Sequence, residues 1–120
     1  MMDEEVQALA ARLVRRLKEV NATITIAESC TGGLLTSTLT DISGASDWFE
    51  QSWVCYSYDS KINELDVQRE LLESKGAVNA TVAIQMADGA RIRSGADIAI
   101  SITGIAGPVA LNSNKPVGLV

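Results

Sequence analysis

Val6, Leu9, Ala10, Leu13, Val14, Leu17 and Val20 recur three or four positions apart. That is the spacing of one helical face, and it predicts an amphipathic helix over residues 5–20. Arg12, Arg15, Arg16 and Lys18 fall between them and read as the solvated face. The pattern then changes period. The β-branched run "ATITIA", residues 22–27, predicts a strand, and "GGLLTSTLTDIS" reads as a helix ending near Gly44. "FEQSWVCY", residues 49–56, predicts a second strand with Phe49, Trp53 and Cys55 on one side. "SKINELDVQRELLESKG" predicts two short helices, the second closed at Lys75-Gly76. "NATVAIQMADGARIRSGA" predicts a longer helix with Asn79 as its N-cap. "DIAISITG" is a further strand and "KPVGLV" the start of another. Strands alternating with helices predict a single layered α/β domain over residues 1–120, without repeat or linker. The apolar run "VGLV" at residues 117–120 leads to the expectation that the domain is truncated at its C-terminus.

Composition narrows the class. Hydrophobic residues make up 47% of the 120 and charged residues 21%, enough for one core and unlike a disordered chain. The net charge of −5 gives no basic footprint for nucleic acid, so no nucleic-acid partner is expected. No apolar run approaches the roughly 20 residues of a membrane span, and "MMDEEVQALAARLVRRLKEV" lacks a signal-peptide pattern. Cys30 and Cys55 then read as reduced, buried structural thiols of a cytoplasmic protein. Trp48 and Trp53 read as core or interface aromatics. The histidine count is zero, which excludes a Ser-His-Asp or Cys-His arrangement and any histidine-containing zinc site. A general base must then be a carboxylate, a lysine, a tyrosine or a thiolate.

Three segments following predicted strands carry candidate chemistry. In "AESCTGG", small hydroxyls and glycines stand where a strand hands over to a helix. That arrangement aims backbone N–H groups at an anion, with Ser29 or Thr31 as added donors. The alternative is a plain helix cap by Ser29 or Thr31. In "SITGIAGP", Thr103, Gly104 and Gly107 end a strand, either in a second substrate loop or in a tight turn. Ligands of open α/β sheets bind outside the carboxyl ends of strands, so the two loops would line one crevice. In "YSYDSK", Lys61 lies beside a strand end among tyrosines and serines. Sheltered from water, its amine would accept a serine proton; in solvent it would be a plain surface lysine.

Taken together and in order, "AESCTGG", "YS…K" and "SITGIAGP…KPVG" resemble the nicotinamide-nucleotide amidohydrolase family. That family also occurs as the C-terminal domain of the competence- and damage-inducible protein CinA. The resemblance runs from the first helix to Val120. It implies a three-layer α/β/α sandwich, here expected around a mixed sheet. It also implies hydrolysis of the carboxamide of nicotinamide mononucleotide to the acid nucleotide and ammonia, without a metal or cofactor, by a serine and a lysine. Lys61 matches the family's essential lysine, Tyr56 its nearby tyrosine and Thr103 a threonine of the "TGIAGP" loop. Ser46 in "SGASDWF" and Ser29 both match serines of the family's site. Ser46 is favoured as nucleophile, with Ser29 and Thr31 binding or polarising the substrate beside Gly32, Gly33 and Gly104. Residues 109–114, "VALNSN", replace the glycine-rich acidic stretch usual before "KPVG", and the family continues past Val120. A second expectation is therefore a nucleotide-binding or regulatory relative impaired in catalysis. Incomplete sheet edges lead to the expectation of a homo-oligomer.

Overall fold

The computed structural model describes residues 3–108 and 114–120. Helix α1, Glu4–Val20, begins at Asp3, whose carboxylate accepts from the Val6 amide at 2.8 Å, and it ends at Asn21 in the left-handed conformation. Strand β1, Ile24–Glu28, is buried along its whole length. Helix α2, Leu34–Thr40, is followed by a 3-10 turn at Ala45–Asp47 and strand β2, Phe49–Val54. Helices α3, Tyr58–Leu65, and α4, Arg69–Lys75, precede the longer α5, Ala80–Ser94, and then strand β3, Ile98–Ile102. Asn79 caps α5 by accepting from the Val82 amide at 2.9 Å, as its side chain predicted.

The sheet order is β2-β1-β3 and both pairings are parallel. The sheet expected as mixed is therefore parallel throughout its described strands. The expected strand at "KPVGLV" amounts to two backbone bonds, Ile105 N–H to Leu119 O and Gly118 N–H to Ile105 O, and forms no strand. Residues 109–113, most of the departing stretch, lie outside the described residues.

A central parallel strand needs apolar cover on both faces, and "ITIAE" receives it from opposite sides. Ile24 and Ile26 pack with Ala10, Val14 and Leu17 of α1 and Leu39 of α2. Ala27, on the other face, packs with Leu65, Leu72, Val82, Met86 and Ala90 of α3, α4 and α5. The result is the layered α/β arrangement that alternation of strands and helices implied. Close approach of α5 to the end of α3 depends on Gly89: a Cβ built there would lie 2.0 Å from the Leu65 carbonyl oxygen.

One expectation fails for a local reason. Phe49 does not share a side with Trp53 and Cys55: it packs among the α1 and α2 residues, whereas the other two belong to the opposite cluster. Ile24 pairs with Phe49 but Thr25 with Gln51, so one extra residue of β2 interrupts the ladder. Side chains alternate with period two, and a one-residue slip sends those beyond it to the other face.

The chain leaves β1 towards β2 through α2 and returns to the far side of β1 through α3, α4 and α5. Connections therefore diverge from β1 in opposite directions. Their carboxyl ends open a crevice where the order reverses, which is where such sheets place ligands.

Candidate active site at the carboxyl ends of the strands

An open cavity of about 600 Å³ occupies that crevice. Its inner wall holds Ser29 from the end of β1, Lys61 from α3 and Thr103 from the end of β3. Ser57 starts α3 with a capping box, its hydroxyl accepting from the Ser60 amide, and this places Lys61 on the helix face turned to the sheet. The Lys61 side chain is 1% exposed. Its Nζ lies 2.8 Å from Ser29 Oγ, 2.8 Å from the Cys55 carbonyl oxygen and 3.3 Å from the Tyr56 carbonyl oxygen. Ser29 is itself 6% exposed and anchored by its amide, which donates to the Ile102 carbonyl at 3.0 Å.

Among the described residues, no carboxylate pairs with Lys61. Burial pushes its pKa below the ordinary 10.5, and the thiols of Cys55 and Cys30 pull only weakly the other way. A neutral amine has two N–H donors and one lone pair. With the two carbonyls on those donors, the lone pair of a neutral Lys61 would be left to meet the Ser29 hydroxyl. Chemically, this arrangement allows the amine to take a proton from the hydroxyl. Burial, followed by the charge of Glu64, raises the neighbouring Cys55 thiol, so Cys55 stays protonated and structural as expected. Cys30, by contrast, is half-buried and forms part of the cavity wall.

The "AESCTGG" loop does present backbone amides to an anion, and the anion is its own Glu28. Glu28 is fully buried. Its Oε1 accepts from Thr31 Oγ1 at 2.5 Å, Gly33 N at 3.2 Å and Leu35 N at 3.1 Å. Its Oε2 accepts from Thr36 N at 2.8 Å and Thr36 Oγ1 at 2.6 Å. Burial raises the Glu28 pKa, but the hydrogen bonds from Thr31, Thr36 and the backbone outweigh it and hold the group below 4.5. The carboxylate thus caps α2 from the preceding strand. Gly32 and Gly33, at φ 61° and 102°, make the turn that lets the chain fold back over it.

That cap reassigns several expected site residues. Thr31, Gly32 and Gly33 do not line the cavity; the Thr31 hydroxyl and the Gly33 amide are committed to Glu28. Thr103 and Gly104 do line it, with the Thr103 hydroxyl donating to the Ala77 carbonyl at 2.9 Å. Tyr56 lines it too, with its side chain 64% exposed. Ser46 stands apart. It is exposed on the 3-10 turn before β2, whereas Lys61 bonds to carbonyls after β2. A six-residue strand of roughly 20 Å separates the two. Within one chain the structure brings Ser29 to Lys61 and does not bring Ser46. Glu28 and the cavity wall of Tyr58, Lys75 and Lys115 were given no site role from sequence. A signal for the lysines existed in their scarcity, four in the chain. Among the described residues, no three histidine, cysteine, aspartate or glutamate side chains cluster as a metal site would require, and no helix is long and apolar enough to cross a membrane.

Comparison with known proteins identifies the family of the chain. The family model of the CinA C-terminal domain matches residues 6–120. The nicotinamide-nucleotide amidohydrolase PncC of Escherichia coli (strain K12) is 45% identical over 120 residues, covering 100% of this chain and 73% of that protein. A CinA-like protein of Geotalea daltonii is 52% identical over 103 residues, 86% of this chain and 25% of that protein. The chain therefore spans about a quarter of the CinA-like relative and about three quarters of the amidohydrolase. Among solved structures, the competence/damage inducible protein CihA from Agrobacterium tumefaciens superposes with a TM-score of 0.93 at 40% identity, covering 98% of this chain and 72% of that one.

Proposed function

The chain belongs to the CinA C-terminal domain family, and from that premise we propose that it hydrolyses the carboxamide of a nicotinamide nucleotide through a Ser29–Lys61 pair, with no metal. One observation carries the reading: a buried lysine amine, with no carboxylate partner among the described residues, 2.8 Å from a serine hydroxyl in a cavity. Its support also includes the 45% identity to an amidohydrolase of that name.

In the proposed reaction, the Lys61 lone pair takes the Ser29 proton as Oγ attacks the carboxamide carbon. The tetrahedral adduct collapses when the Lys61 ammonium returns that proton to the departing nitrogen, which leaves as ammonia. Lys61 then takes a proton from water, whose oxygen attacks the acyl-Ser29 carbon. Collapse frees the acid and gives the proton back to Ser29. The α2 amides are already engaged by Glu28, so polarising donors come from the remaining cavity wall around Thr103 and Gly104. The exposed Tyr56 ring offers a face for the cationic pyridinium.

Ammonia release from nicotinamide mononucleotide, measured with a chelator present, tests this. Ser29→Ala and Lys61→Ala are each expected to lower kcat by about a thousandfold or more, while Ser46→Ala stays within about threefold of wild type. Collapse in Ser46→Ala with Ser29→Ala unaffected would transfer the nucleophile to Ser46. Nucleotide binding by the wild-type chain without ammonia would overturn the hydrolase in favour of a binding relative.

A further inference from the structure

We infer that the outer flank of α1 is the seam on which a second copy of this chain docks, helix against antiparallel helix. The inference goes beyond the hydrolase reading and does not depend on it, because no residue of α1 lines the catalytic cavity. An amphipathic helix on a single domain normally turns its whole apolar stripe to the core. Here the core takes only part of it. Ala10, Val14 and Leu17 are buried, whereas Leu9 is 53%, Val20 51% and Val6 39% exposed. Leu13 is half-buried beside them. A shallow groove of about 560 Å³ marks this flank, lined by Leu9, Arg12, Leu13, Arg15, Arg16 and Glu19. Every one of those residues belongs to α1, so no other described element walls the groove.

Charge says what covers it. The helix is acidic at its start, with Asp3, Glu4 and Glu5, and basic in its second half, with Arg12, Arg15, Arg16 and Lys18. Glu4, Glu5 and Lys18 also suit the helix's own dipole, but the dipole gives no reason for an open leucine or for arginines in mid-helix. A second copy does. Set antiparallel, the acidic start of each helix meets the basic half of the other; set parallel, like charges oppose. The register follows from the spacing. Leu9 and Leu13 lie two residues either side of Ala11, Glu5 six before it and Arg16 five after. A two-fold axis beside Ala11 therefore sets Leu9 against Leu13 of the second copy, and Glu5 against Arg16 of the second copy, each pair twice. At 3.6 residues per turn, Glu5, Val6, Leu9, Leu13, Arg16 and Val20 share an arc of about 100°, so both kinds of pair meet on one seam. Arg12 sits on the border of that arc and is exposed. Arg16 already bonds Glu19 at 3.1 Å, but that pair is solvent-exposed and weak, and the guanidinium keeps donors for a second carboxylate. One face of a 17-residue helix is roughly 25 Å by 10 Å. That is less than the roughly 800 Å² per partner of a standard interface, so the dimer is expected in the micromolar range.

Sedimentation equilibrium of the whole chain, from about 5 to about 500 µM, tests this. Wild type is expected to pass from monomer to dimer over that range. Leu9→Glu alters an exposed position, so its circular dichroism and melting temperature should match wild type while the dissociation constant rises about 100-fold. Glu5→Arg and Arg16→Glu each set two like-charged pairs across the seam and should weaken association about 10-fold. The double swap, Glu5→Arg with Arg16→Glu, restores opposite charges and should return association to within about threefold of wild type. Wild type that stays monomeric at about 500 µM overturns the seam, as does a dimer that Leu9→Glu leaves intact. Charge variants without effect, or a double swap no better than the singles, place the contact elsewhere or make it parallel, and either result overturns the proposal. Both charge variants replace exposed side chains, so they decide the matter even where Leu9→Glu fails to fold.

Discussion

Replacing Glu28 by glutamine changes one atom and tests whether a buried carboxylate organises the nucleophile loop. The carboxylate accepts five hydrogen bonds, three at Oε1 and two at Oε2. A glutamine keeps most of them by leaving its oxygen at the Oε1 position. Its NH2 then faces the Thr36 amide, donor against donor, although the Thr36 hydroxyl can turn to accept. One buried N–H is orphaned, at about 1–3 kcal/mol. The three surviving bonds drop from charge-assisted to neutral strength, about 1 kcal/mol each. Relief of the carboxylate's desolvation offsets part of this, leaving a net loss of about 2–4 kcal/mol. For a domain of this size that is a fall in Tm of roughly 10 °C.

The pH dependence carries the sign. Glu28 titrates below 4.5 in the folded chain, so the unfolded state binds the proton more readily. The cap's contribution is complete above pH 4.5 and is lost as pH falls through the lowered value. Wild type and Glu28→Gln should therefore differ at pH 7 and converge in acid. Urea denaturation at both pH values measures this, and ammonia release reports on the adjoining Ser29, with kcat expected to fall about 10- to 100-fold. A Glu28→Gln chain within about 0.5 kcal/mol of wild type at pH 7 would refute the cap as an organising feature.

Lys61 predicts a slope of the same sign in a higher pH window. Its pKa is depressed below 10.5 on folding, so between the two values the unfolded chain holds more protons and stability rises with pH. Urea titrations from pH 7 to 10 should show that rise in wild type and its absence in Lys61→Met; a rise that persists in the variant would assign it to another group. Gly89→Ala exchanges a poor helix former for a good one, a gain of about 1 kcal/mol on an open helix. Here its Cβ meets the Leu65 carbonyl at 2.0 Å, so overpacking should prevail and thermal melting should show a net loss of roughly 2 kcal/mol; a stabilised variant would contradict the close packing of α5 on α3.

Much of the fold was legible because it is written in short-range chemistry. The 3.6-residue period of Val6 to Val20 made α1, and the β-branched "TITI" made β1. Asn79 marked the start of α5 through its own side chain. The missing histidines had already confined the base to a few residue types, and Lys61 was singled out by its neighbours. The family motifs offered two serines, Ser29 and Ser46, and favoured Ser46 as nucleophile.

Only the assembled layers bring one of the two beside Lys61. Ser29 and Lys61 are 32 positions apart and meet because β1 and α3 pack across the sheet, whereas Ser46, closer to Lys61 in sequence, is carried to the far end by β2. Glu28 turned from a loop residue into a helix cap when α2 folded back over it. Lys75 and Lys115, 40 positions apart, became one patch at a helix end. Periodicity and capping act over a few residues, so the chain alone settles most of its elements. Which side chains share a pocket depends on how the connections cross and on one extra residue in β2, and those are properties of the packed sheet.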